Sequence, residues 1–89
     1  MVTSIILINA ERTRINDVAE QLAGINSISE VYSVSGNYDL VAIVRVKSND
    51  ELSDLVTIEL KEVDGIIHTE SMLAFRAYSR HDLDAMFSI

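Results

Sequence analysis

The chain has 89 residues, 48% of them hydrophobic, and its 14 acidic against 7 basic side chains give a net charge of −7. Nucleic-acid backbones are bound through clustered positive charge, so this balance argues against direct nucleic-acid binding. The lack of cysteine excludes disulfides, thiolate nucleophiles and cysteine-based metal sites.

The first two predicted elements are a strand and a helix. Aliphatic and β-branched residues follow one another from Val2 to Asn9, which is typical of a strand covered on both faces. Apolar residues then recur at the spacing of one helical face, and a glycine follows as a C-terminal stop. These residues are Ile15, Val18, Ala19, Leu22 and Ala23, with Gly24 as the stop.

A hairpin and a second helix are predicted next. Strands from Ile28 to Ser35 and from Leu40 to Lys47 flank a tight turn at Gly36 to Asp39. Ser48, with Glu51 three residues later, predicts a capping box at the start of the helix. The apolar stripe of this helix is Leu52, Leu55, Val56, Leu60 and Val63, and Gly65 ends it.

The last strand is predicted from Ile66 to Tyr78. Ser79 to Ile89 then shows the spacing of a short amphipathic helix, with Leu83, Met86 and Phe87 on its apolar face. An arm across a neighbouring subunit or a frayed end fits this segment equally well.

The order β-α-β-β-α-β predicts an α+β, ferredoxin-like fold, a four-stranded antiparallel sheet with two helices on one face. Right-handed crossovers place the first and third strands in the middle of the sheet. Both strands are apolar on both sides, yet two helices cover only one face. We therefore predict a homodimer in which the open faces of two sheets meet.

No segment predicts export or membrane insertion. The N-terminus lacks the basic and apolar regions of a signal peptide, and the longest apolar run, Ile5 to Ile8, is too short to span a bilayer. The length is that of one domain, and the chain contains no proline and no low-complexity linker. We expect a single domain over residues 1–89, in a soluble cytoplasmic protein.

Metal binding and catalysis find little support. His68 and Glu70 point to the same side of the last strand, and a second group near the C-terminus comprises His81, Asp82 and Asp84. Neither group has a third ligand at a characteristic spacing, so solvated polar groups are the favoured interpretation. The sequence contains no nucleophile elbow, P-loop or dinucleotide-binding turn. We predict no metal, no cofactor and no enzymatic activity.

The turn Gly36-Asn37-Tyr38-Asp39 has two interpretations. In a plain hairpin, Gly36 supplies a positive φ, Asn37 tolerates the turn and Asp39 caps free backbone amides. A tight turn needs neither the aromatic side chain of Tyr38 nor a carboxylate directly after it. The second interpretation is therefore a binding site.

These motifs, in this order, resemble the regulation-of-amino-acid-metabolism (RAM) domain, the C-terminal half of the Lrp/AsnC (feast/famine) regulators. The Gly-x-x-Asp signature of that family matches Gly36 to Asp39, and its Gly-Ile and threonine-containing last strand match Gly65-Ile66 and Thr69. The resemblance extends from Val2 to about Tyr78. Full regulators also carry an N-terminal helix-turn-helix, whereas this chain begins at the first strand, so the resemblance implies a stand-alone RAM domain.

The resemblance implies dimers joined through their open sheet faces, further assembly into octamers or rings of dimers, and a free amino acid bound between dimers near the Gly-x-x-Asp loop. A zwitterionic ligand needs an acceptor for its ammonium and donors for its carboxylate. We expect Asp39 to accept the ammonium, amides near Gly36 to donate, and Tyr38 to line the side-chain pocket. The full predicted site is Gly36, Asn37, Tyr38, Asp39, Thr69 and Ser71.

The expected function is an effector-binding and oligomerisation module. It would bind an amino acid and modulate transcriptional regulation through assembly with itself or with full-length Lrp/AsnC regulators. Two alternatives stay open. One is a structural partner that co-assembles with regulators without a ligand, and the other is a small enzyme of the dimeric α+β barrel type, such as a cofactor-independent monooxygenase or isomerase.

Overall fold

The computed structural model describes residues 1–78 and residue 80. Two helices and four strands follow the predicted order. They are β1 Val2–Ala10, α1 Ile15–Ala23, β2 Ile28–Ser33, β3 Leu40–Val46, α2 Asn49–Asp54 and β4 Ile66–Leu73. β4 ends at Leu73 rather than Tyr78, and the helix predicted from Ser79 to Ile89 lies, apart from Arg80, outside the described residues.

The four strands form one antiparallel sheet in the order β2-β3-β1-β4. β1 pairs with β3 on one side, where Ile8 lies opposite Leu40, and with β4 on the other, where Ser4 lies opposite Leu73. The two strands that are apolar on both sides therefore lie in the middle. This arrangement confirms the predicted α+β, ferredoxin-like fold.

The hydrophobic core lies between one face of the sheet and the two helices. Alternate residues of β1 and β3 point into the core, because successive side chains of a strand point to opposite faces. The fully buried apolar residues are Ile6, Ile8, Val18, Leu22, Leu40, Ala42, Val44 and Leu55. The same two strands must then present their remaining residues to the other face of the sheet.

The second helix is less regular than its apolar stripe predicts. A π turn, Leu55–Glu59, and a 3₁₀ turn, Leu60–Glu62, continue α2. The amide of Leu60 donates to the carbonyl of Leu55, and this wider turn brings two apolar residues five positions apart into the core. The predicted cap is present, since the Ser48 hydroxyl accepts from the amide of Glu51. The Glu51 carboxylate reaches back to the amide of Lys47, one residue before the position that a capping box predicts.

The turn before β4 packs against the start of α1. The amide of Glu11 donates to the carbonyl of Gly65 at 2.8 Å. The Arg14 guanidinium forms an ion pair with Asp64 at 2.7 Å and holds the pKa of that carboxyl below its usual value. Gly65 is buried there with a φ of +104°. The end of the second helix is thus fixed to the start of the first.

The face of the sheet opposite the helices, called the open face below, is apolar at its centre. Its central residues lie on β1 and β3 and are half-buried, namely Ile5, Leu7, Val41 and Ile43. At the β2 edge, Nη1 of Arg45 lies 3.7 Å from Oε1 of Glu30. The Glu30 carboxylate also accepts a hydrogen bond from the hydroxyl of Tyr32. The open face therefore has an apolar centre with charged groups along the β2 edge.

Candidate functional site

The connection between β2 and β3, Val34 to Asp39, is called loop 34–39 below. The amide of Val34 donates to the carbonyl of Asp39 at 3.0 Å, which closes the base of the loop. Gly36 has the positive φ that the hairpin interpretation requires, +110°, and no atom lies within 4 Å of the position that a Cβ would take. The loop therefore presents its backbone to open space at this point.

The loop carries unused hydrogen-bond donors. The main-chain amides of Val34 and Asp39 donate within the protein, whereas those of residues 35–38 find no acceptor in the described part of the chain. Ser35, Gly36 and Asn37 are exposed. Consecutive free amides in a turn are suited to bind an anionic group such as a carboxylate.

Asp39 joins the loop to the end of β1. Its amide donates to the carbonyl of Ile8 at 2.9 Å, and its Oδ2 accepts from the amide of Ala10 at 2.9 Å. In a regular antiparallel ladder a main-chain carbonyl would fill the second role. The carboxylate therefore takes the place of a backbone acceptor, at the point where the β1–β3 ladder ends.

Two more side chains hold the loop in place. Asn9, on β1, donates from Nδ2 to the carbonyl of Asn37 at 2.9 Å. The hydroxyl of Tyr38 donates to the carboxylate of Glu70, on β4, at 2.6 Å. With the Asp39 carboxylate, three side-chain hydrogen bonds attach loop 34–39 to two different strands, in addition to the main-chain bond from Asp39 to Ile8.

The partner of Tyr38 was missed from the sequence, and two predicted residues lie elsewhere. Glu70 pairs with Leu7 and so lies on the open face, whereas Thr69 and Ser71 pair with Ile8 and Ile6, which point toward the helices. The structure thus brings the four loop residues together but places Thr69 and Ser71 on the opposite side of the sheet from Glu70. Strand alternation already put His68 and Glu70 on one side, but nothing in the sequence indicated which of them meets the loop.

The Tyr38–Glu70 hydrogen bond has a measurable pH signature. The bond to the Glu70 carboxylate, with smaller effects from desolvation and the negative charge, raises the pKa of Tyr38 above its ordinary value of 10. Because the folded state binds this proton more tightly, the stabilising contribution is complete below the ordinary tyrosine pKa and is lost as the pH rises through the raised value.

We predict that Glu70→Gln moves the Tyr38 pKa back toward 10, since glutamine removes the charged acceptor. An NMR titration of the tyrosine rings measures the shift. Glu30→Gln is the matched control, because Glu30 raises the pKa of Tyr32 in the same way. A Tyr38 pKa that changes in Glu30→Gln, or stays unchanged in Glu70→Gln, would show that the Tyr38–Glu70 hydrogen bond is absent in solution.

Within residues 1–78 and 80, no three histidine, aspartate or glutamate side chains converge to hold a metal ion. The second group weighed from the sequence, His81, Asp82 and Asp84, lies outside those residues. No helix in the described part of the chain is long and apolar enough to cross a membrane.

Comparison with known proteins yields one family and several solved structures. A family model described as the Lrp/AsnC ligand binding domain matches residues 3–83. The crystal structure of TTHA0845 from Thermus thermophilus is 45% identical, covers 90% of this chain and 100% of that one, and superposes with a TM-score of 0.83.

Regulators of greater length are also similar. PH1916 of Pyrococcus horikoshii, an HTH-type transcriptional regulator, is 37% identical over 59 residues, which are 66% of this chain and 39% of that protein. The fold is shared with the feast or famine regulatory protein Rv3291c of M. tuberculosis, solved in complex with L-methionine, at 24% identity, 90% of this chain, 54% of that one and a TM-score of 0.75. The chain spans about 39% to 50% of the length of the curated relatives it matches.

Proposed function

The chain belongs to the Lrp/AsnC ligand binding domain family, and from that premise we propose that it binds a free amino acid at loop 34–39. The observation that supports this best is the set of free amides at residues 35–38, in a loop that three side-chain hydrogen bonds hold in place. A regulator with the same fold was solved in complex with L-methionine, and we therefore propose an amino acid as the class of ligand.

The groups around the loop suit the two ends of a zwitterion. The free amides flanking Gly36 donate to the ligand carboxylate. Asp39 and Glu70 make the surroundings negative, which favours an ammonium group, and the Tyr38 ring lines one side of the ligand. Asn37 supplies one of the amides. Thr69 and Ser71 lie on the opposite side of the sheet from Glu70. We therefore propose them only as ligand-binding groups for the site of a neighbouring subunit.

The open face supports a second part of the proposal, assembly. Its apolar centre is free of helices, and a second copy of the same face is the simplest cover for it. We propose a homodimer built this way, and a higher even assembly such as an octamer or ring of dimers. A ligand held between dimers would shift assembly by the difference in its affinity for the two states. Co-assembly with full-length regulators would carry that signal to transcription.

The test is to titrate the purified protein with the twenty amino acids by calorimetry while following its mass by light scattering. We expect at least one to bind with a dissociation constant of about a millimolar or tighter, which corresponds to roughly −4 kcal/mol. Gly36→Ala should weaken binding because its methyl group covers the free amides. Gly24→Ala is the matched control, since Gly24 lies after α1 with a φ of −81°.

The titration also separates the alternatives. Absence of binding by every amino acid would remove the sensor function, and co-purification with a full-length regulator would then favour the purely structural partner. The curated relatives are transcriptional regulators and the matched domain is a ligand binding domain, which weighs against the enzyme alternative.

A further inference from the structure

The Asp39 carboxylate already has a partner inside the protein. Ala10, whose amide donates to Oδ2 at 2.9 Å, is only 5% exposed, so water has little access to replace a lost acceptor. Leaving a buried amide unsatisfied costs about 1 to 3 kcal/mol. The primary role of this carboxylate is therefore to accept the hydrogen bond of the Ala10 amide at the end of the β1–β3 ladder.

The bond has consequences for the amides of the loop. Asp39 is hydrogen-bonded to β1 at two points, the carbonyl of Ile8 and the amide of Ala10. In the chain it directly follows residues 35–38, whose amides are free. Asn9 and Tyr38 hold the loop from two other directions. A set of donors binds an anion more tightly when it is fixed before the ligand arrives, because less conformational entropy is lost on binding.

We propose that Asp39 is a positioning residue, whose carboxylate fixes loop 34–39 on β1 and thereby presents the amides, and that it is not the group that meets the ligand ammonium. This inference rests on the proposed amino-acid function and changes the role that the sequence suggested for Asp39. It makes ligand affinity depend on an oxygen acceptor at this position rather than on its negative charge.

Two substitutions separate the roles. Asp39→Ala removes both the acceptor and the charge, and we expect at least a tenfold loss of affinity for the amino acid that binds the wild type most tightly. Asp39→Asn keeps an oxygen that accepts from the Ala10 amide and removes only the charge, so we expect it to restore affinity to within about threefold of wild type. If Asp39 met the ligand ammonium directly, Asp39→Asn would itself lose well over threefold in affinity, because a charge-assisted hydrogen bond is about twice as strong as a neutral one.

A second readout needs no ligand. Hydrogen exchange of the Ala10 amide, followed by NMR in the free protein, should be slow in the wild type and in Asp39→Asn but fast in Asp39→Ala. Asn49→Ala, at the first residue of α2 and away from the loop, is the control for general loosening. Unchanged Ala10 exchange in Asp39→Ala would overturn the proposal, as would a protected Ala10 amide in an Asp39→Asn protein that has lost its affinity.

The two failures are distinguishable. If the wild type binds none of the twenty amino acids, the proposed function fails and the ligand role of Asp39 fails with it, while Ala10 exchange still shows whether Asp39 anchors the loop. If the wild type binds, and Asp39→Asn keeps the Ala10 amide protected but does not bind, the function stands and the positioning role is wrong.

Discussion

Replacing Gly65 by alanine is expected to lower the free energy of unfolding by about 2 to 4 kcal/mol, because backbone strain and overpacking add at this position. Gly65 has a φ of +104°, and a Cβ there would lie 2.8 Å from Cγ2 of Val18. Val18 is fully buried on α1, and a β-branched side chain in a helix has one strongly preferred rotamer, so it has no room to move aside. Urea denaturation at a fixed protein concentration measures the change.

Gly36 provides the matched control for this prediction. Its φ is +110°, but nothing lies within 4 Å of the position that a Cβ would take, so Gly36→Ala should cost only the backbone strain, about 1 to 2 kcal/mol. In a Val18→Ala background, which removes the clashing methyl group, Gly65→Ala should cost little more than Gly36→Ala. Equal costs for the two glycine substitutions in the wild-type background would show that contact with Val18 contributes nothing.

Replacing Ile5 by lysine is expected to break the proposed dimer, raising its dissociation constant at least about 100-fold, or roughly 2.8 kcal/mol. Ile5 lies on the open face between Ile43 of β3 and Met72 of β4, so no carboxylate stands directly opposite to pair with the new charge. Burying an unpaired ammonium between two apolar surfaces is costly, whereas in a monomer the same side chain extends into water. Sedimentation velocity over a range of concentrations measures the effect.

The control for Ile5→Lys is Asn16→Lys, which adds the same charge at an exposed position on α1. It should leave the dimer unchanged, and circular dichroism should show that both variants keep the fold. An Ile5→Lys protein that remains fully dimeric at micromolar concentration would show that the open face is not the interface.

Much of the fold could be predicted from residue patterns, because a strand that is buried on both faces has a continuous apolar run. Right-handed crossovers predicted that β1 and β3 lie in the middle of the sheet, their continuous apolar runs agreed, and the structure confirms it. The second helix was harder. The apolar stripe from Leu52 to Val63 predicted one continuous α-helix, whereas a π turn and a 3₁₀ turn follow α2, and Leu55 and Leu60, five positions apart, are both buried. A π turn depends on tertiary packing, which sequence spacing does not reveal.

The candidate site also combines local features that the sequence predicts with long-range contacts that it does not. The hairpin interpretation anticipated the positive φ of Gly36, which is a local property of a turn. It expected Asp39 to cap free backbone amides of the turn, whereas the Asp39 carboxylate accepts from Ala10, 29 positions away. The bond from Tyr38 to Glu70 joins residues 32 positions apart, and the side of the sheet on which Thr69 lies depends on strand register and on the irregularity between Asn9 and Ala10. Such long-range pairings are set by the whole sheet.

The most direct test of the proposed amino-acid site is an NMR titration of the ¹⁵N-labelled protein with the amino acid that binds it most tightly. The largest changes in amide shift should fall on residues 35–39, with smaller changes at Glu70 and Ala10, because the ligand carboxylate meets the free amides and the loop transmits the effect to both strands. Binding that leaves the amides of residues 35–38 unchanged and shifts another part of the sheet would contradict a site at loop 34–39.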